Sequence, residues 1–177
     1  MTRMPEIELI PVIESNSQAF IALDHEVLSL TRGDENLVSF SLPELTLLAP
    51  NHSYHLATSC EIIVGRCGIN LAPDEADIAG YGDFAHALYH QGPSASLVGD
   101  LVHPNFRGNR IQQAMIAKRM EMLPEMGYVR AWAGIICTNK ASKRSYLRSG
   151  FERIGTKKIA FTDGDVRLVE LFSKSIH

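Results

Sequence analysis

Val102-His103-Pro104-Asn105-Phe106-Arg107-Gly108-Asn109-Arg110-Ile111-Gln112 joins two segments of different periodicity. Residues 96–102 (SLVGDLV) read as a strand. Over 111–123 the chain reads as a helix, with Ile111, Met115, Met122 and Met126 on one stripe. The stretch is therefore a strand exit that feeds a helix start. A helix start carries unpaired N–H groups and the positive end of the dipole, which suits a diphosphate. Gly108 has no Cβ, so the backbone there can approach a ligand closely. Arg107 and Arg110 add positive charge, and no acidic residue lies between His103 and Arg119. The stretch is neither a GxxxxGK[ST] loop nor a GxGxxG loop. The alternative is an ordinary strand–turn–helix with a surface arginine.

Outward from this turn, strands and helices alternate. Residues 7–13 form a short apolar-rich strand. Ser15-Asn16-Ser17 then offers N-cap chemistry to a helix bearing Phe20, Leu23, Val27 and Leu30, which Gly33-Asp34 ends. Residues 43–48 look like another helical start, with Ser41 as its cap. Residues 51–60 are ambiguous, 61–71 read as a strand with glycines, and 72–93 as a surface excursion with one short helix at 83–90. Downstream, 129–137 is a strand and 140–148 a helix capped by Gly150. Residues 157–161 and 166–171 flank Asp163-Gly164 as a β-hairpin. This succession predicts an α/β or α+β domain around a mixed sheet.

The 177 residues, 45% hydrophobic, suffice for one compact domain over 1–177. No apolar run is long enough to span a bilayer, and the N-terminal stretch lacks the features of a secretory signal. Cys60, Cys67 and Cys137 read as buried free thiols of a cytoplasmic protein. The net charge of −3 hides a split. Residues 1–102 hold three basic against 14 acidic residues, a balance of −11, and residues 103–177 hold 14 against six, a balance of +8. An anionic ligand would favour the second part and a cationic one the first, unless the two are ordinary solvated faces.

The segment LVHPNFRGNRIQQAMI resembles the acetyl-CoA motif of the GNAT acetyltransferase superfamily, and Asn139-Lys140-Ala141-Ser142-Lys143-Arg144-Ser145-Tyr146-Leu147-Arg148-Ser149-Gly150-Phe151 resembles its second signature, N-x-x-(A/S)-x-x-x-Y-x-x-x-G-F. Arg110 and Gln112 depart from the acetyl-CoA motif, standing where small residues are usual. The resemblance implies a GNAT fold: a mixed central β-sheet flanked by helices, with a C-terminal β-hairpin at about 157–172. It also implies acceptor-side elements over about 1–95 and an acetyl-CoA-binding core over about 96–156. Acetyl-CoA would be held by Leu101, Val102, His103, Arg107, Gly108, Asn109, Arg110, Ile111, Gln112, Asn139 and Ser142, with backbone groups of Leu101 and His103 along the pantetheine arm. Tyr146 would protonate the departing thiolate; the alternative is a core tyrosine. Gly99 is a candidate bulge. The base is left among Asp100, Glu61, Asp83, His86 or a water chain.

Other signals are weaker. APDEAD has no accompanying phosphate loop. His86 and His90 would need Glu at the Ala87 position for a zinc motif, and His52 with His55 is no stronger, so no metal is expected. Lys140, Lys143, Arg144 and Arg148 more simply face cofactor phosphates than nucleic acid. The expected partner is a small-molecule or peptide amine, without nucleic acid or membrane, and a homodimer stays open. The rival reading is a non-catalytic acyl-CoA-binding or regulatory domain.

Overall fold

A computed structural model describes residues 4–31, 41, 43, 51–71, 92–160 and 164–176. Of the helices expected at 43–48 and 83–90, only Pro43 lies within these residues; Asp83, His86 and His90 lie outside them. The elements in chain order are β1 (Glu8–Pro11), α1 (Ser17–Thr31), β2 (His52–Ser59), β3 (Ile62–Asn70), β4 (Ser94–Val102), α2 (Ile111–Met122), β5 (Arg130–Ile136), α3 (Lys140–Arg148), β6 (Glu152–Ala160) and β7 (Val166–Ser175). The strands form one mixed sheet in the order β1-β2-β3-β4-β5-β7-β6. All neighbours pair antiparallel except β4 and β5. The mixed α+β sheet and the terminal hairpin agree with the expectation from sequence.

Side-chain alternation sorts the core onto two faces. Tyr54, Leu56 and Leu101 pack with Phe20, Leu23 and Val27 of α1. Ala57, Val64 and Cys67 pack with Ile111, Ala114 and Met115 of α2. A third cluster joins Leu97, Ala133 and Ile135 to Ile116 and Tyr146, which puts α3 on the α2 side. In α1 the buried stripe is Phe20, Leu23, Asp24 and Val27, while Leu30 is exposed, contrary to expectation. Asp24 is tolerated there because Arg66 meets it with a bidentate ion pair, at 2.5 and 3.1 Å. The polar trio before α1 folds differently from a simple cap. Ser17 Oγ donates to the Glu14 carbonyl, and Asn16 accepts from the Ile13 N–H. Likewise α2 stops at Met122 and Met126 is exposed, because Pro124 cannot continue the helix.

Only Cys67 of the three cysteines is buried; Cys60 is exposed and Cys137 intermediate. Glycines in β3 allow close packing. A Cβ on Gly65 would fall 2.4 Å from the Leu101 carbonyl oxygen, and one on Gly68 2.6 Å from the Tyr54 ring.

His55 lies buried on the α2 face of β2, opposite Cys67. Burial, reinforced by the Arg119 charge, pushes its pKa below the usual 6.5. The unfolded chain therefore binds this proton at a higher pH than the folded one. The neutral ring's contribution is full above about pH 6.5 and is lost as pH falls toward the folded value. Urea titrations from pH 7.5 to 5 should show stability dropping, with a shallower slope in His55→Phe. An unchanged slope in that variant would assign the loss to other groups.

Candidate active site

The site is created by a split in the sheet. β4 and β5 pair in parallel only at Ser94 to Arg130, Ala95 to Ala131 and Ser96 to Trp132. Beyond that β4 continues with β3 alone, and β5 with β7. Where the strands part, β4 carries a bulge. Val98 and Leu101 oppose Gly68 and Arg66, so two residues, Gly99 and Asp100, face one on β3. Gly99 takes φ +65°, a left-handed conformation suited to glycine. Without the extra residue, Asp100 would point with Val98 toward α1. With it, Asp100 turns to the α2 side and Leu101 enters the α1 cluster.

A cavity of about 410 Å³ opens beside the split, between the end of β4, the following loop, the first turn of α2 and one face of α3. Asp100, Leu101, Val102, Arg107, Gly108, Arg110, Ile111, Gln112, Asn139 and Ser142 all line it. Asn109, His103 and Tyr146 do not. Arg144 and Arg148, one helical turn apart on α3, join Arg107 and Arg110 to give four arginines around the cavity. Lys143 turns the other way, to Glu170 at 2.7 Å.

The chain reaches α2 through Gly108 at φ +83° and Arg110 at φ +60°. Arg110 gives α2 no side-chain cap, and the N–H groups of a helix start suit an anion. By contrast α3 is capped by its own sequence, with Asn139 Oδ1 accepting from the Ser142 N–H at 3.0 Å. His103 faces elsewhere. Its N–H donates to the Val64 carbonyl of β3, and its ring contacts Glu26 at 3.1 Å and the Asn105 N–H. The backbone groups of His103, expected along the pantetheine arm, both bond within the chain, the N–H to Val64 and the carbonyl to the Phe106 N–H.

Tyr146 is positioned by the end of its own helix. The Phe151 N–H bonds the Tyr146 carbonyl, and the Gly150 N–H, at φ +81°, bonds the Leu147 carbonyl. This is a Schellman turn, and its hydrophobic contact is the edge-on packing of the Phe151 ring on Tyr146 at 5.0 Å. The Tyr146 hydroxyl donates to Asp100 Oδ2 at 2.9 Å. Burial and the Asp100 charge push its pKa well above the usual value, against an opposing effect of Arg119. The phenol therefore keeps its proton through the physiological range.

Asp100 is heavily engaged. Besides Tyr146, it accepts from Gln112 Nε2 at 3.2 Å and pairs with Arg119 at 2.6 Å. Gln112 also donates to Ser142 Oγ at 2.9 Å, so its side chain bridges β4 and α3. This bridge explains the large residue where a small one was expected. A carboxylate that accepts two hydrogen bonds and pairs with a buried guanidinium is a poor candidate base. Glu61 is no better placed, because it sits exposed in the tight turn between β2 and β3 with φ +66° and does not line the cavity. Arg119 was missed in the sequence because charged residues are rarely fully buried. The available signal was its place four residues after Met115, on the apolar stripe of α2.

A family model for the "Acetyltransferase (GNAT) family" matches residues 26–151. No curated protein sequence is similar enough to count as a match. Among solved structures, the chain resembles the acetyl transferase from Salmonella typhimurium that modifies the N-terminal serine of a 50S ribosomal subunit protein. The identity is 19%, coverage 97% of this chain and 95% of that one, and TM-score 0.71. It also resembles a ribosomal-protein alanine N-acetyltransferase from Escherichia coli, at 13% identity, 97% and 94% coverage, and TM-score 0.65. A third is a ribosomal α-N-protein acetyltransferase in complex with coenzyme A, at 18% identity, 96% and 94% coverage, and TM-score 0.67. With the family model spanning the α1-to-α3 region that builds the cavity, the chain belongs to the GNAT acetyltransferase family of enzymes.

Proposed function

We propose that this enzyme transfers the acetyl group of acetyl-CoA to a primary amine by direct attack with both substrates bound. The observation that carries the reading is the cavity: four arginines and an uncapped helix start face it. That combination suits the diphosphate and 3′-phosphate of coenzyme A. Leu101 and Val102 line the wall along which the pantetheine would run. In the reaction the amine nitrogen bonds the carbonyl carbon, the C–S bond breaks, and its electron pair stays on sulfur. Tyr146 gives the thiolate its proton, and the amine's proton leaves by water. Holding both reactants in line supplies much of the rate. Free cysteines and this donor fit the cytoplasm.

The Tyr146–Asp100 hydrogen bond favours a second reading, in which Tyr146 is structural and the fold binds acyl-CoA without turnover. Measured turnover separates the two.

We place the acceptor among cationic amines: a small polyamine-like molecule or the end of a basic peptide. Support comes from the −11 balance of residues 1–102 and from the enzyme of similar fold that modifies the N-terminal serine of a ribosomal subunit protein. Not all of that charge can act on the acceptor, since Asp24 and Asp100 are bound to buried arginines. Competition between cationic, neutral and anionic amines, at low and high salt, tests the idea. Cationic amines should win by a margin that shrinks with salt. A preference for anionic amines, or selectivity blind to salt, would remove the electrostatic argument.

A further inference from the structure

Arg119 is wholly buried on α2, and its guanidinium meets three partners. Nε donates to the Met115 carbonyl at 3.3 Å and Nη1 to the Gly68 carbonyl at 2.9 Å. Nη2 lies 2.6 Å from Asp100 Oδ1. The other carboxylate oxygen receives the Tyr146 hydroxyl. From the opposite face of the sheet, Arg66 holds the bulge by its Gly99 carbonyl at 2.5 Å. Two buried arginines thus fix the one irregular point of β4 from both sides, and Asp100 has no freedom to turn.

The consequence concerns the proton of Tyr146. In the structure the Tyr146 hydroxyl hydrogen is directed at Asp100. A lone carboxylate in the core would be a strong acceptor and would retain it. A guanidinium at 2.6 Å shares the carboxylate's charge and weakens that hold. We propose that Arg119 is a positioning residue of the acyl-transfer site, acting through Asp100 to keep the Tyr146 ring in place and its hydroxyl hydrogen available to the leaving thiolate. The inference rests on the acetyl-transfer reading above. In the step concerned, the C–S electron pair remains on sulfur and the hydroxyl proton moves to it. The phenolate then regains a proton from the one the amine nitrogen releases. Gln112 completes the arrangement by fixing the same carboxylate oxygen from the turn that faces the cavity.

The test is a set of full-length variants: Arg119→Lys, the pair Asp100→Asn with Arg119→Met, and each combined with Tyr146→Phe. The pair removes both charges together, so no lone charge is stranded in the core. Turnover is read with the best amine of the panel, and acetyl-CoA affinity by calorimetry. Arg119→Lys should lower kcat about 10-fold with acetyl-CoA Kd changed less than about threefold, and the paired variant should fall to the level of Tyr146→Phe. Adding Tyr146→Phe to either should bring no loss beyond that of Tyr146→Phe alone. Losses that multiply, or a paired variant that keeps full turnover, would overturn the proposal. A readout independent of turnover is the Tyr146 resonance in protein made with ¹³Cζ-tyrosine, which should move in Arg119→Lys; an unmoved resonance also overturns it. If the resonance moves but the unmodified enzyme acetylates no amine, the transfer reading fails instead, and the catalytic meaning of the coupling fails with it.

Discussion

Tyr146→Phe lowers kcat about 100-fold or more and leaves acetyl-CoA affinity near normal, as judged by steady-state kinetics beside calorimetry. That loss corresponds to about 2.7 kcal/mol of transition-state stabilisation. The variant keeps the ring, and so keeps its packing on Phe151 and the Schellman turn. It removes only the proton donor and one of the hydrogen bonds to Asp100. Because the phenol holds its proton through the physiological range, the deficit should persist across pH 6 to 9 rather than vanish at one end. Turnover equal to the unmodified enzyme would mean that water protonates the thiolate, and Tyr146 would then be structural.

Charge reversal at the turn should be as damaging, but to binding. Arg107→Glu with Gly108→Glu should weaken acetyl-CoA by at least about 100-fold. Two unit charges about 5 Å apart interact by roughly 3 kcal/mol near a protein surface, and each 1.4 kcal/mol is about tenfold in affinity. In the ligand-free chain a Cβ on Gly108 meets no atom within 4 Å, so its cost to folding is confined to the φ of +83°. The fold should therefore survive. The reading is the rise in Tm with added acetyl-CoA, which the native enzyme should show and the variant should lack. A variant that still responds would place the diphosphate elsewhere.

The sequence made the order of elements from β4 onward plain, because each boundary there has a local cause. Gly150 ends α3 and Gly99 permits the bulge. Nine of the eleven positions named for the cofactor line one cavity, since most of them lie on one local strand–turn–helix. What stayed hidden depends on contacts distant in sequence. The Arg66–Asp24 pair spans 42 positions, and Tyr146 reaches Asp100 across 46. The direction of Asp100 could not be read from SLVGDLV, since a single extra residue inverts the alternation. The burial of Arg119 likewise depends on Gly68, 51 positions away, and on Asp100. His103 had the right place in the motif, yet its N–H belongs to β3.

Acetyl transfer to an amine can be followed directly. The most direct measurement is mass spectrometry of an amine panel incubated with the enzyme and acetyl-CoA labelled with ¹³C in the acetyl group. The panel should include polyamines, amino acids and short basic peptides. Acetyl transfer predicts that at least one amine gains the labelled acetyl group, in step with an equal amount of free thiol and only when enzyme is present. Saturable binding of acetyl-CoA with no labelled amine and no thiol release across that panel would contradict it.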